Sequence, residues 1–186
     1  MALRLVVLLF FAIAACGRTS QPVEIPADDL PFAVTRTDSP IDTAAAGRSY
    51  AVYFVRAEKL AEHSREFGTG TRSVASLLRL LLEGPSAEER AGGISTQIPR
   101  EVRLLGVVIG DGAARVDLSG EFQEPAPPVG IALRVAQVVW TLTALPDVQS
   151  VSFSIDGEPV AVTTDDLAAV ERPVTRADYA KLAPAT

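Results

Sequence analysis

The chain has one cysteine, one histidine, one tryptophan and one methionine in 186 residues. A lone cysteine, Cys16, cannot close an internal disulfide, so no covalent staple supports the fold. The lone histidine, His63, lies in LAEHSREFG, with neither a Ser-His-Asp context nor metal-ligand spacing, and is expected in an exposed loop. Positive charge is scarce as well. The net charge of −6 argues against nucleic acid or anionic lipid as the main partner. Adjacent acids occur at Asp28-Asp29, Glu88-Glu89 and Asp165-Asp166, but neighbours in sequence diverge and do not make a convergent acid/base pair. No catalytic, cofactor-binding or metal-ligating residue is assigned, and no cofactor is expected.

What is present begins with a targeting segment. Arg4 precedes a run of about a dozen apolar residues from Leu5, too short for the roughly twenty that cross a bilayer. The run ends in Ile13-Ala14-Ala15-Cys16-Gly17 and resembles a bacterial lipoprotein signal, with Ile13 where that motif usually has Leu. The resemblance implies cleavage after residue 15, lipidation (palmitate) at Cys16, and a lipid-anchored chain on the extracytoplasmic face of the membrane. The alternative is an ordinary secretory signal followed by a free thiol. Residues 16–47 carry Pro22, Pro26, Pro31 and Pro40 among small and polar residues without sustained periodicity, and are expected to be a flexible tether. Ile25, Leu30 and Phe32 could instead lie along the domain as a short strand.

A domain is expected over 48–164, followed by a tail over 165–186 with a possible short helix. Residues 50–56, YAVYFVR, read as an interior strand, and 57–71 as a polar loop. Residues 68–73, GTGTRS, precede a helix but lack the ending and spacing of a phosphate loop, so a plain loop with Thr71 or Ser73 as helix cap is the better reading. Val74, Leu77, Leu78 and Leu81 form one helical stripe that Gly84-Pro85 stops, and Ser86 to Glu89 forms a capping box. Two strands, 102–109 and 113–119, join through Gly110-Asp111-Gly112. A Pro-rich loop, 124–130, leads to a helix over 131–145 that is apolar nearly all round. Val151, Phe153 and Ile155 alternate with serines, and Asp156-Gly157 turns this strand into an edge strand at 160–163.

That order predicts an α/β (α+β) fold, β-α-β-β-α-β-β, with a mixed five-stranded sheet and two main helices packed on one face. Within the second helix, Arg134, Gln137 and Thr141 form one polar row with Trp140 beside it. The row is either a face that meets a partner protein, since Arg and Trp carry much interface energy, or a set of groups that satisfies water or buried backbone.

The pieces YFV, SLLRLLLEGP, STQIP, VDLS, AQVVWTLTALPDVQSV and IDGEPV occur in this order between Tyr50 and Val160. Together they resemble the GerMN domain, the sporulation and spore germination family. The resemblance implies an extracytoplasmic interaction module, commonly borne by lipoproteins, without established catalytic residues. Related modules build rings in the sporulation apparatus, and others sit in lipoproteins that modulate sensor kinases. The expected function is a membrane-tethered, non-catalytic interaction or scaffold domain of the cell envelope with an envelope protein as partner. An enzyme acting on envelope polymers and a small-ligand sensor are the alternatives.

Overall fold

The computed structural model describes residues 49–66 and 73–185. The signal segment, the tether, Cys16 and most of the GTGTRS loop lie outside the described residues. Strand β1 (Ser49–Arg56) is apolar where it matters, with Val52 to Val55 buried. It folds back on β2 (Lys59–Glu66) as an antiparallel hairpin closed by the pair Arg56↔Lys59. Residues 59–66 are therefore a strand and not the loop expected from their polarity. The two turn residues, Ala57 and Glu58, both take positive φ, +47° and +60°. That is the primed turn suited to a two-residue hairpin, made here without the Gly or Asn that usually announces it.

Helix α1 (Val74–Glu83) buries the stripe of Val74, Leu77, Leu78 and Leu81. Ser73 caps it by accepting from the Ser76 amide at 3.2 Å, and Gly84 ends it at φ +80°. Helix α2 (Ala87–Ala91) opens with the expected capping box between Ser86 and Glu89. Strands β3 (Leu104–Gly110) and β4 (Ala113–Leu118) form the next hairpin, and Ala114, Val116 and Leu118 point into the core. A single turn of 3-10 helix (Gly120–Gln123) then leads to helix α3 (Pro128–Leu142). This helix starts three residues before the expected point because Pro128 fills a first-turn position, where its missing N–H is no loss.

Helix α3 is the crossover between β4 and β5 (Ser150–Ile155), which pair in parallel. Asp156 and Gly157 turn β5 into β6 (Glu158–Pro159), and the sheet order is β3-β4-β5-β6. The single five-stranded sheet expected from the sequence is thus divided. Strands β1 and β2 form their own ribbon, and β7 (Val162–Thr163) pairs with β8 (Ala169–Val170) in a third. The α+β class holds, and α1 and α3 pack against each other, with α1 also on β1 and β3 and α3 on β1 and β5. One continuous core joins both helices to β1, β4 and β5.

The domain does not end at residue 164. Val174 bridges to Val151 through paired backbone bonds of 2.8 Å. A 3-10 segment (Arg176–Leu182) then buries Tyr179 and Leu182 against the rest.

The last hairpin can be tested directly. Asp156 and Gly157 take φ of +50° and +87°, and a Cβ added at Gly157 meets nothing within 4 Å. Substituting Gly157→Val therefore creates no clash and isolates the backbone strain. A loss of about 1–3 kcal/mol is expected in denaturant melts. An unchanged midpoint would contradict this turn.

Candidate functional site

The polar row of α3 faces backbone, not solvent. In the β1–β2 hairpin, Tyr53 and Val55 turn their amides and carbonyls away from β2, leaving an edge that needs partners. The Ser95 backbone takes both groups of Val55, at 2.9 and 2.8 Å. The α3 side chains take both groups of Tyr53. Its N–H donates to Thr141 Oγ1 at 3.1 Å, and its carbonyl accepts from Gln137 Nε2 at 3.2 Å. Gln137 also accepts from the Gln97 amide at 2.9 Å and donates to Thr96 Oγ1 at 3.1 Å. One turn earlier, Arg134 donates from Nε to the Gln97 carbonyl at 2.9 Å and from Nη1 to the carbonyls of Phe122 and Glu124 at 2.6 and 2.9 Å. Arg134, Gln137 and Thr141 are 4%, 0% and 0% exposed.

Of the two readings of the row, the structure shows the one in which its groups satisfy buried backbone, and this burial corrects the other, an exposed contact face. Helical spacing shows that the polar groups are gathered on one line. It does not show whether that line meets water or a sheet edge. Only Trp140 of the four keeps partial exposure. Its ring meets Tyr53 edge-on at 5.4 Å, and the Arg176 guanidinium lies 4.5 Å from its centroid. Arg176 also donates to the Trp140 carbonyl at 3.0 Å and to Thr143 Oγ1 at 2.8 Å. Burial, helped by a 2.7 Å hydrogen bond to Glu62, pushes the Tyr53 phenol up to about 12. Sequence reasoning missed Arg176 because it belongs to the segment read as a tail.

His63 is not a loop residue either. It lies on β2 with Nδ1 2.8 Å from Glu89 Oε1, while Arg65 donates to both Glu89 oxygens at 2.7 and 2.6 Å. Glu89 is also the acceptor of the capping box at Ser86 N–H. The Arg65 hydrogen bonds, with help from the Ser86 amide, hold its carboxyl down at about 2. Arg172 does the same for Asp178, also to about 2. Depressed carboxyl values stabilise the fold above the ordinary carboxylate range and lose that effect as pH falls toward 2. Stability is thus expected to fall between about pH 5 and pH 2, and Glu89→Gln should flatten that slope. A slope equal to wild type in acid titrations of the melting point would contradict the assignment.

Among the described residues, no group of three or more His, Cys, Asp and Glu stands close enough to hold a metal. Of the adjacent acids, Asp165 accepts from the Lys181 amide at 2.7 Å, and Asp166 pairs with the Lys181 ammonium. An open cleft of about 570 Å³ beside the β1–β2 turn is lined by Arg56, Lys59, Glu62, His63 and Pro184. Its carboxylate, Glu62, is held by the Tyr53 hydroxyl, and no nucleophile with a base converges there. No helix among the described residues is long and apolar enough to cross a membrane.

A family model described as Germane, sporulation and spore germination, matches residues 51–161. The tandem GerMN domains of the sporulation protein GerM from Bacillus subtilis superpose with a TM-score of 0.56 at 19% identity, covering 71% of this chain and 47% of that one. This chain thus spans about half the length of that tandem structure. The first GerMN domain of the same protein gives 0.54 at 19% identity, covering 70% of this chain and 99% of that one. A candidate lipoprotein from Clostridium perfringens gives 0.50 at 18% identity, covering 74% and 93%. At these identities the likeness establishes the fold. No curated protein sequence matches the chain significantly.

Proposed function

Because the chain belongs to the Germane family of sporulation and spore germination, matched over residues 51–161, we propose that it is a membrane-tethered, extracytoplasmic interaction domain of the bacterial envelope. The observation that carries the reading is the order of its parts: a lipoprotein-like signal ending at Cys16, a proline-bearing segment, and then one domain of this family. Similarity to a candidate lipoprotein over nearly its whole length supports the anchor. In this reading the folded part binds an envelope protein and carries out no chemistry. Gln137 and Thr141 on α3 and the Glu89 cluster serve the fold.

Lipidation at Cys16 is the step to test first. A single acyl chain holds a protein at a membrane only marginally, whereas two or three give slow release. Wild-type chain is expected to incorporate labelled palmitate and to sediment with membranes. Cys16→Ser should lose the label and stay in the soluble fraction or in the unprocessed precursor. Equal label in both would exclude this anchor. Incubating the chain with peptidoglycan is expected to release no fragments, and release would favour the enzyme reading.

A further inference from the structure

We propose that a cavity on the α3 side of the domain binds a small apolar carboxylate, with Arg134 as its anion-recognising group. The cavity is half-open to solvent and offers about 210 Å³ between the 122–124 turn, α3, β5 and residues 160–163. Phe122, Ile131, Val135, Ile155, Val160 and Val162 supply apolar walls. Arg134 is the cation among its lining residues.

Three of the five guanidinium N–H groups are occupied. Nε donates to the Gln97 carbonyl and Nη1 to those of Phe122 and Glu124. Nη2 has no acceptor among the described residues, and Arg134 forms no ion pair there, although it is 4% exposed. Neutral carbonyls satisfy donors but do not cancel the charge, which the Glu124 carboxylate offsets only from a distance, without an ion pair, and an arginine does not shed its proton. The three bonds fix the guanidinium plane and leave Nη2 as the donor open to an occupant. The Phe122 ring, 6.0 Å from the guanidinium carbon, covers it on another side.

These features select the ligand. A bound anion would give Nη2 the acceptor it lacks, and the apolar walls would strengthen that attraction. Glu124 lines the same cavity, and its negative charge opposes any anion there, most strongly one carrying more than one charge. The walls need an apolar body to exclude water. The volume is below the roughly 300 Å³ of drug-sized pockets and equals about seven waters at ~30 Å³ each. A branched aliphatic monocarboxylate such as 4-methylvalerate satisfies each condition. The inference goes beyond the tethered interaction role and does not rest on it.

The test uses the full chain, ¹⁵N-labelled in detergent micelles, titrated with 4-methylvalerate, its uncharged amide, and acetate. The acid is expected to shift the Arg134 Nε–H signal and the amides of 123–124 and 161–163, saturating below about 10 mM. The amide should bind roughly tenfold to a hundredfold more weakly, since it forfeits a charge-assisted hydrogen bond. Acetate, lacking the apolar body, should also bind more weakly. Ala161→Trp, at an exposed lining position away from the Arg134 hydrogen bonds, should abolish the acid's effect. Equal affinity for acid and amide, no saturable shift, or unchanged binding in Ala161→Trp would each overturn the proposal. None of these outcomes alters palmitate incorporation at Cys16, so the two readings fail separately.

Discussion

Replacing Gln137 by leucine is expected to destabilise the domain by about 3 kcal/mol, a large part of the stability of a chain this size. Leucine fits the helix and fills a similar volume, so neither propensity nor packing changes much. What changes is the edge of β1. The Tyr53 carbonyl loses its partner in a buried site and the Gln97 amide in a half-buried one, and each stranded group costs about 1–3 kcal/mol, less where water can reach it. Gln137→Glu is the informative second variant. It keeps an acceptor for the Gln97 amide but offers no donor to Tyr53 unless it is protonated, and it places a charge where exposure is 0%. It should be at least as damaging at neutral pH and recover in part as pH falls. Denaturant midpoints give the energies, and amide exchange at Gln97 gives the location. A leucine variant within ~0.5 kcal/mol of wild type, the range of ordinary surface changes, would mean that water or a shifted loop satisfies both groups.

The elements legible in the sequence are those whose evidence is local. Val74 to Leu81 carries its own period, Ser86 and Glu89 their own cap, and Asp156-Gly157 its own turn. Each is decided within a few residues, and each appears where the pattern put it. The misread parts depend on distant partners. Strand β2 is polar because His63 and Arg65 meet Glu89 on α2, and its turn is formed by Ala57 and Glu58 without a glycine signal. The row on α3 is polar because it meets the unpaired edge of β1, which no spacing rule reveals. The five expected strands were largely real, but pairing them into one sheet required knowing that α3 and Ser95 already occupy the outer edge of β1. A polar residue in a sequence says that it needs a partner. Whether the partner is water, backbone or ligand is decided by the fold.

The C-terminal segment gives the other large effect. Residues 165–186 lack helical or strand period because Val174, Tyr179 and Leu182 are buried one by one from irregular backbone. Tyr179 is 0% exposed, and burial raises its phenol above the ordinary tyrosine range. Its hydroxyl donates to the Thr163 carbonyl at 3.2 Å, which ties the segment to β7. Nearby, Arg176 reaches the carbonyl of Trp140 on α3, and Thr175 and Asp178 cap the turn between them. Tyr179→Ala should therefore behave as a core truncation and remove about 3–5 kcal/mol, or roughly 10 °C of melting temperature. Tyr179→Phe keeps the ring and strands one carbonyl, so about 1 kcal/mol is expected. The two variants separate packing from hydrogen bonding, and the difference between them measures the ring. The family match stops at residue 161, so this segment lies outside it. If both variants melt with wild type, the segment is an appendage and the domain closes at β7. If alanine alone collapses the fold, the last twenty residues are part of the core, and shortened versions of the chain that omit them will not fold.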